Sequence, residues 1–99
     1  MKRIGEYTKQ ISEELEGAKE YAEESLYRKA MGETTLAAKY RDMANDELKH
    51  AIWIHDIAVG EIQQLNKTYT APAEMLEAWE KSHREYVDRT AWIKQMLAM

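Results

Sequence analysis

A chain of 99 residues has room for one small domain, and a domain of that size buries only about two-thirds of the surface its unfolded chain exposes. The formal charge of −4, with no basic run longer than Lys2-Arg3, excludes an electrostatic nucleic-acid footprint. The absence of cysteine excludes a disulfide framework, thiolate chemistry and any Cys-ligated zinc or iron–sulfur centre, so a metal here would be held by nitrogen and oxygen. No apolar run approaches the length of a membrane span, and the opening Met1-Lys2-Arg3-Ile4-Gly5-Glu6 is no signal peptide, so the expectation is a soluble, cytoplasmic protein.

One proline and four glycines leave few points at which a helix must stop, and no β-branched alternation marks a strand. The reading is all-α: a single domain over residues 1–99 with helices at about 5–31, 33–66 and 72–97. At about 100° per residue the first helix gathers Ile4, Tyr7, Ile11, Leu15, Ala18, Ala22 and Ser25 on one face. Glu13, Glu16, Glu20, Glu23 and Glu24 fall on the other half, a solvated face. Glu14 is the exception, roughly 60° from the centre of the apolar stripe, between Ile11, Ala18 and Tyr21.

Met31-Gly32-Glu33-Thr34-Thr35 separates the first two helices, glycine ending one and threonine suited to starting the next. The stripe of the second helix is Leu36, Tyr40, Met43, Ala44, Ala51, Ile54, Ala58, Ile62 and Leu65. Glu47 falls within roughly 20° of its middle, with His50 one turn further on. A carboxylate buried there without a partner would cost several kcal/mol or take up a proton, so Glu47 needs a partner. Gly60 is a point of local weakness. The segment from Asn66 to Pro72 breaks the chain again, and the third helix carries His83 on an apolar face with Leu76, Trp79, Val87 and Thr90.

Height along the bundle follows from the rise per residue. In an antiparallel hairpin turning at Met31-Gly32, Glu14 and Glu47 each lie about 16 residues from the turn and therefore face each other. The same estimate places Thr90 or Ala91 opposite Glu47 and leaves His83 about 12 Å off that level. Two inward carboxylates with a histidine one turn from the second make half of a carboxylate-bridged dinuclear metal site. The full site takes a Glu from each of two helices and a Glu-x-x-His from each of two others. Two copies of this chain related by a twofold axis would supply the full set while completing a four-helix bundle. Carboxylate and imidazole donors suit Fe(II) or Mn(II), and zinc fits the same ligands.

The run Glu13-Glu14-Leu15-Glu16 followed by Tyr21, and then Ala44-Asn45-Asp46-Glu47-Leu48-Lys49-His50-Ala51 in the next helix, resembles the ferritin-like superfamily, in particular the first helix pair of rubrerythrin-type proteins and the encapsulated ferritins. The resemblance covers roughly residues 10–60. It implies Glu14, Glu47 and His50 as iron ligands at a homodimer interface, ferroxidase chemistry there, and Tyr21 packed nearby. The chain is shorter than full-length ferritins, which carry both halves in one subunit, and it has no cysteine-ligated iron domain of the rubrerythrin kind. Cage assembly and peroxide reduction by that route are therefore not implied.

Each of these residues also has a plainer reading. Glu47 and His50 could form a structural polar pair that fixes helix register in a metal-free helical oligomerisation or adaptor protein. Glu80-x-x-His83 repeats the spacing but lies far from the other ligands, and His83 reads as a core histidine bonded to Tyr7 or His55. His55, beside Asp56, reads as a boundary residue, and Glu61 as exposed and solvated. Tyr21 and Tyr40 read as core with wet hydroxyls. Trp53, Trp79 and Trp92 read as packing residues. Trp53 lies about 120° from the main stripe of its helix, so the third helix or another subunit would have to cover it.

Overall fold

The structure, a computed structural model, describes residues 2–99. It contains α1 (Lys2–Ala30), α2 (Thr34–Asn66) and α3 (Ala73–Ala98), and no strand occurs among the described residues. The helices match those expected to within a few residues at each end, and α2 runs unbroken through Gly60. No described helix is long and apolar enough to cross a membrane.

The turn after α1 is closed by backbone chemistry. Gly32 adopts φ 78°, a left-handed conformation, while the Glu33 amide donates to the Arg28 carbonyl at 2.9 Å and the Gly32 amide to the Lys29 carbonyl at 3.0 Å. These two bonds form a Schellman cap, which satisfies carbonyls that the helix end would otherwise orphan and for which glycine carries no steric cost. The Arg28 side chain locks the same corner by donating to Glu24 at 2.9 Å and to Glu33 at 2.8 Å. A tight, fixed turn holds α1 and α2 antiparallel and sets their relative height.

The hairpin packs through small residues. Ala18, Ala22, Ala44 and Ala51 are all but sealed from solvent, which brings the two backbones close, and Ile11, Leu15 and Leu48 fill the space around them. Helix α3 runs beside α1 in the same direction, so that Met75 and Trp79 lie near Ile4 and Gly5 at one end and Lys29 donates to the Met99 carbonyl at 2.6 Å at the other. Thr90, Ile93, Met96 and Leu97 bury its C-terminal half, and Arg89 ties it to Ser12 at 3.1 Å and Glu16 at 3.2 Å. Helices of this length at 1.5 Å per residue make an elongated body, 55 Å by 18 Å by 17 Å.

Two details of packing differ from the sequence reading. The stripe on α2 splits lengthwise: Ala37, Ala44, Leu48, Ala51, His55 and Ala58 are buried, whereas Leu36 and Met43 remain 42% and 41% exposed. Helix α3 lies along one flank of the hairpin, as the contact of His55 with His83 shows, so the buried arc of α2 is rotated toward that flank and the other edge stays open. On α3 the inward line is Trp79, His83, Tyr86, Thr90, Ile93 and Leu97, at alternating spacings of four and three; Val87 points outward because Tyr86 takes the inner place. Of the tryptophans only Trp79 faces the helix interior, packing on His55, while Trp53 and Trp92 are 59% and 51% exposed. Helix α3 does not cover Trp53.

Candidate metal centre

Glu14 on α1 and Glu47 and His50 on α2 converge midway along the hairpin. Each offers one ligand atom, and the three atoms all lie within 4.8 Å of one another. Equal distance from the turn places the two carboxylates at one height, and the i, i+3 spacing turns His50 to the same side as Glu47. His50 Nδ1 lies 3.5 Å from Glu14 Oε2.

The electrostatics of the cluster are unresolved by the protein's own groups. A hydrogen bond with the Glu14 carboxyl, then burial, then the like charge of Glu14 hold the Glu47 carboxyl above the ordinary carboxylate value, with His50 opposing. The Glu47 carboxyl therefore holds a proton more readily than an ordinary carboxylate does. Glu14 Oε2 is nevertheless buried without a hydrogen-bond partner. A buried acceptor left without a donor is costly and calls for an explanation. A divalent cation would satisfy that oxygen and take the place of a proton on Glu47, and two carboxylates with an imidazole are a donor set that fits Fe(II), Mn(II) or Zn(II). Glu14, Glu47 and His50 would hold it.

Gly17 completes the site and was not singled out in the sequence. A Cβ built on it would lie 3.0 Å from Glu47 Oε2, so the Glu47 carboxylate occupies the space that any other residue would fill. The legible signal is a glycine inside a helix one turn beyond Glu14, at a position where glycine costs about 1 kcal/mol in propensity relative to alanine. Gly17→Ala is expected to pull stability and metal affinity in opposite directions. The metal-free protein should become slightly more stable in urea, because the carboxylate is a flexible chain end that can move aside. Metal affinity should fall about 10–100-fold, the usual scale when a ligand's support is removed, as read by calorimetric titration with Mn(II). An unchanged affinity would mean that Glu47 does not bind in its observed position.

The surroundings are asymmetric. Toward α3 the site is backed by the apolar core; on the other flank the His50 side chain is 47% exposed and stands in ring contact with Trp53, their centroids 5.9 Å apart. Leu36, Met43 and Ile57 extend the same exposed edge of α2. Tyr21 and Tyr40, each seven residues from a carboxylate, pack against one another at 6.2 Å, with the Arg28 guanidinium 5.9 Å from the Tyr40 ring.

Other residues weighed in the sequence lie elsewhere. Glu61 is half-buried rather than solvated: it accepts from the Tyr7 hydroxyl at 2.8 Å and from Arg3 at 3.2 Å, near the end of the hairpin remote from the turn. His83 is bonded to His55, with 2.9 Å between His55 Nε2 and His83 Nδ1. His55 is buried rather than at the boundary, 9% exposed, because the rings of α3 close over it. Glu80 is exposed, so Glu80-x-x-His83 is not a second ligand pair.

Among known proteins, no family model, no curated protein and no solved structure matches the chain.

Proposed function

We propose that this protein binds iron through Glu14, Glu47 and His50, that two copies join across the open edge of α2 to complete a carboxylate-bridged dinuclear site within a four-helix bundle, and that the site oxidises Fe(II) with dioxygen or peroxide. The observation that carries this reading is the convergence of the three donors within 4.8 Å around an otherwise unsatisfied carboxylate oxygen. A ferritin-like ancestry, suggested by the Glu14 and Glu47-x-x-His50 pattern, fits the same reading.

Each protein group has a defined task. Glu14 and Glu47 carry the negative charge that draws and bridges divalent cations, and His50 supplies a neutral nitrogen. Gly17 leaves room for the Glu47 carboxylate, and the buried flank behind the site, around Leu15, Ala18 and Leu48, keeps water from one side of the carboxylates. One chain offers two carboxylates and one imidazole; a twofold mate brings the total to four and two, the complement of a dinuclear centre. Bound iron would supply the redox equivalents and open coordination positions at which an oxidant is reduced.

The test is the metal content and oxygen uptake of the wild-type chain after aerobic loading with Fe(II) and desalting. Retention of about one iron per chain, with oxygen consumed during loading, is expected. Retention without oxygen uptake would leave a storage or delivery site without redox turnover. No retained metal, neither iron nor Mn(II) or Zn(II), would overturn the reading in favour of a metal-free helical oligomer.

A further inference from the structure

A second titratable cluster lies well below the metal ligands, where α2 meets α3. His55 is enclosed by three side chains from successive turns of α3. The Tyr86 ring stacks on it at 4.0 Å and 4°, the His83 ring lies at 5.0 Å and Trp79 at 5.6 Å. The ring nitrogens His55 Nε2 and His83 Nδ1 stand 2.9 Å apart, a bond that requires one of them to carry a hydrogen and the other a lone pair.

The half of α3 that makes this contact is thinly held. None of residues 73–89 is fully buried, and the buried positions of the helix begin at Thr90. The imidazole bond and the ring stack thus fasten the weakly packed half of α3 to α2. We propose that His55 and His83 form a proton-operated clasp, which holds the N-terminal half of α3 on the hairpin at neutral pH and releases it on acidification.

The neutral pair has one hydrogen between the facing nitrogens. A first added proton leaves that bond in place as an N–H donating to the remaining lone pair. A second removes the last lone pair and sets two cations within contact distance, so the bond is lost and replaced by repulsion. The surroundings do little to offset this. On α2 the carboxylate of Asp56 is exposed, 3.9 Å from His55 Nδ1. On α3, Tyr86 is the other titratable group facing His55, and Glu80, Arg84 and Glu85 beside His83 are exposed. On α1 the titratable groups near this height are Glu6 and Lys9, both exposed, and Tyr7, whose hydroxyl is bonded to Glu61 some 9 Å further along α2. Burial first, and then the charge of His83, hold the His55 imidazole below the ordinary histidine value. A histidine so depressed stabilises the closed form fully above about pH 6.5, and that stabilisation is lost as pH falls through the lowered value. The proton that the closed form keeps off His55 makes the opening equilibrium change by up to about tenfold per pH unit.

Hydrogen exchange of the full chain, corrected for intrinsic rates and followed from about pH 7.5 to about pH 5, tests the clasp. Protection over residues 73–86 is expected to fall at least about tenfold while residues 11–22 of α1 hold theirs. His83→Asn takes up no proton and can accept from a protonated His55, so the second cation is gone and protection over 73–86 should fall much less with pH than in wild type, leaving only the burial of His55. His83→Lys, charged throughout, stands at the singly protonated stage, so one further proton, on His55, should suffice to open it. The clasp is refuted if protection over 73–86 does not change in wild type, if it falls equally in His83→Asn, or if residues 11–22 lose protection in step. None of these readouts depends on the metal site.

Discussion

Glu47→Gln is expected to abolish iron retention and, in the metal-free protein at neutral pH, to raise the melting temperature. The two effects share one cause. In the folded chain the Glu47 carboxyl lies against Glu14 and is held above its ordinary value of 4.5 by the bond to Glu14, by burial and by like charge. For a carboxyl group raised in this way the contribution to folding is present below the unfolded value and is lost as pH rises through the folded one. At neutral pH an ionised Glu47 therefore opposes folding. Glutamine has the same shape, carries no charge and can donate an N–H to Glu14 Oε2, which has no hydrogen-bond partner in the wild type. The substitution should thus relieve strain that only a cation otherwise relieves, and iron retained after desalting should drop from about one per chain to none. Scanning calorimetry near pH 7 and near pH 4 would check the sign, since the advantage of the variant should shrink at the lower pH, where Glu47 holds its proton. Were Glu47 instead a structural partner of His50 in a metal-free protein, the variant would melt no higher than wild type and neither would hold iron.

Much of this was legible in the sequence because helices obey a fixed geometry. With one proline and few glycines the breaks at Gly32 and before Pro72 had little competition, and a constant rise per residue placed Glu14 opposite Glu47 once the turn was located. Side-chain direction was harder to read. Leu36, Met43, Ala44 and Ala51 are all apolar, so the pattern of α2 alone does not say which of them the hairpin buries. The answer depends on the flank that α3 occupies, and the alanines win because close approach of two backbones favours small residues over large ones. Long side chains escaped for a related reason: Glu61 falls near the apolar stripe by helical angle and only its place at the far end of the hairpin assigns it to solvent, yet it reaches Tyr7 and Arg3. Gly17 was missed because its role is to leave space, and an empty volume has no signature until the carboxylate that fills it is located.

The left-over apolar edge of α2 makes the second large prediction. Leu36 and Met43, then Trp53 and Ile57, stay exposed on the side where His50 opens to solvent, and Met43 lies one turn before Glu47. If this edge is where a second copy seats, Met43→Lys places a charge in each half of a closed apolar contact, at a cost of several kcal/mol per unpaired ammonium. The dimer dissociation constant should rise at least about 100-fold. The folded monomer should lose no more than about 0.5 kcal/mol, since Met43 is 41% exposed within the single chain. Iron retention should fall with the dimer even though Glu14, Glu47 and His50 are untouched, because a half-site of three donors holds divalent cations far less firmly than the closed pair. Sedimentation equilibrium and metal analysis on the same samples would test this, with Lys94→Glu, at an exposed position on α3, as the charge-changing control. A Met43→Lys protein that sediments as wild type and keeps its iron would place the interface elsewhere. One that stays dimeric while losing iron would show that Met43 acts on the ligands rather than on assembly. Only parallel loss of mass and metal ties the donor set to the second chain, since an ammonium one turn from Glu47 that acted on the ligands alone would remove the metal and leave the dimer intact.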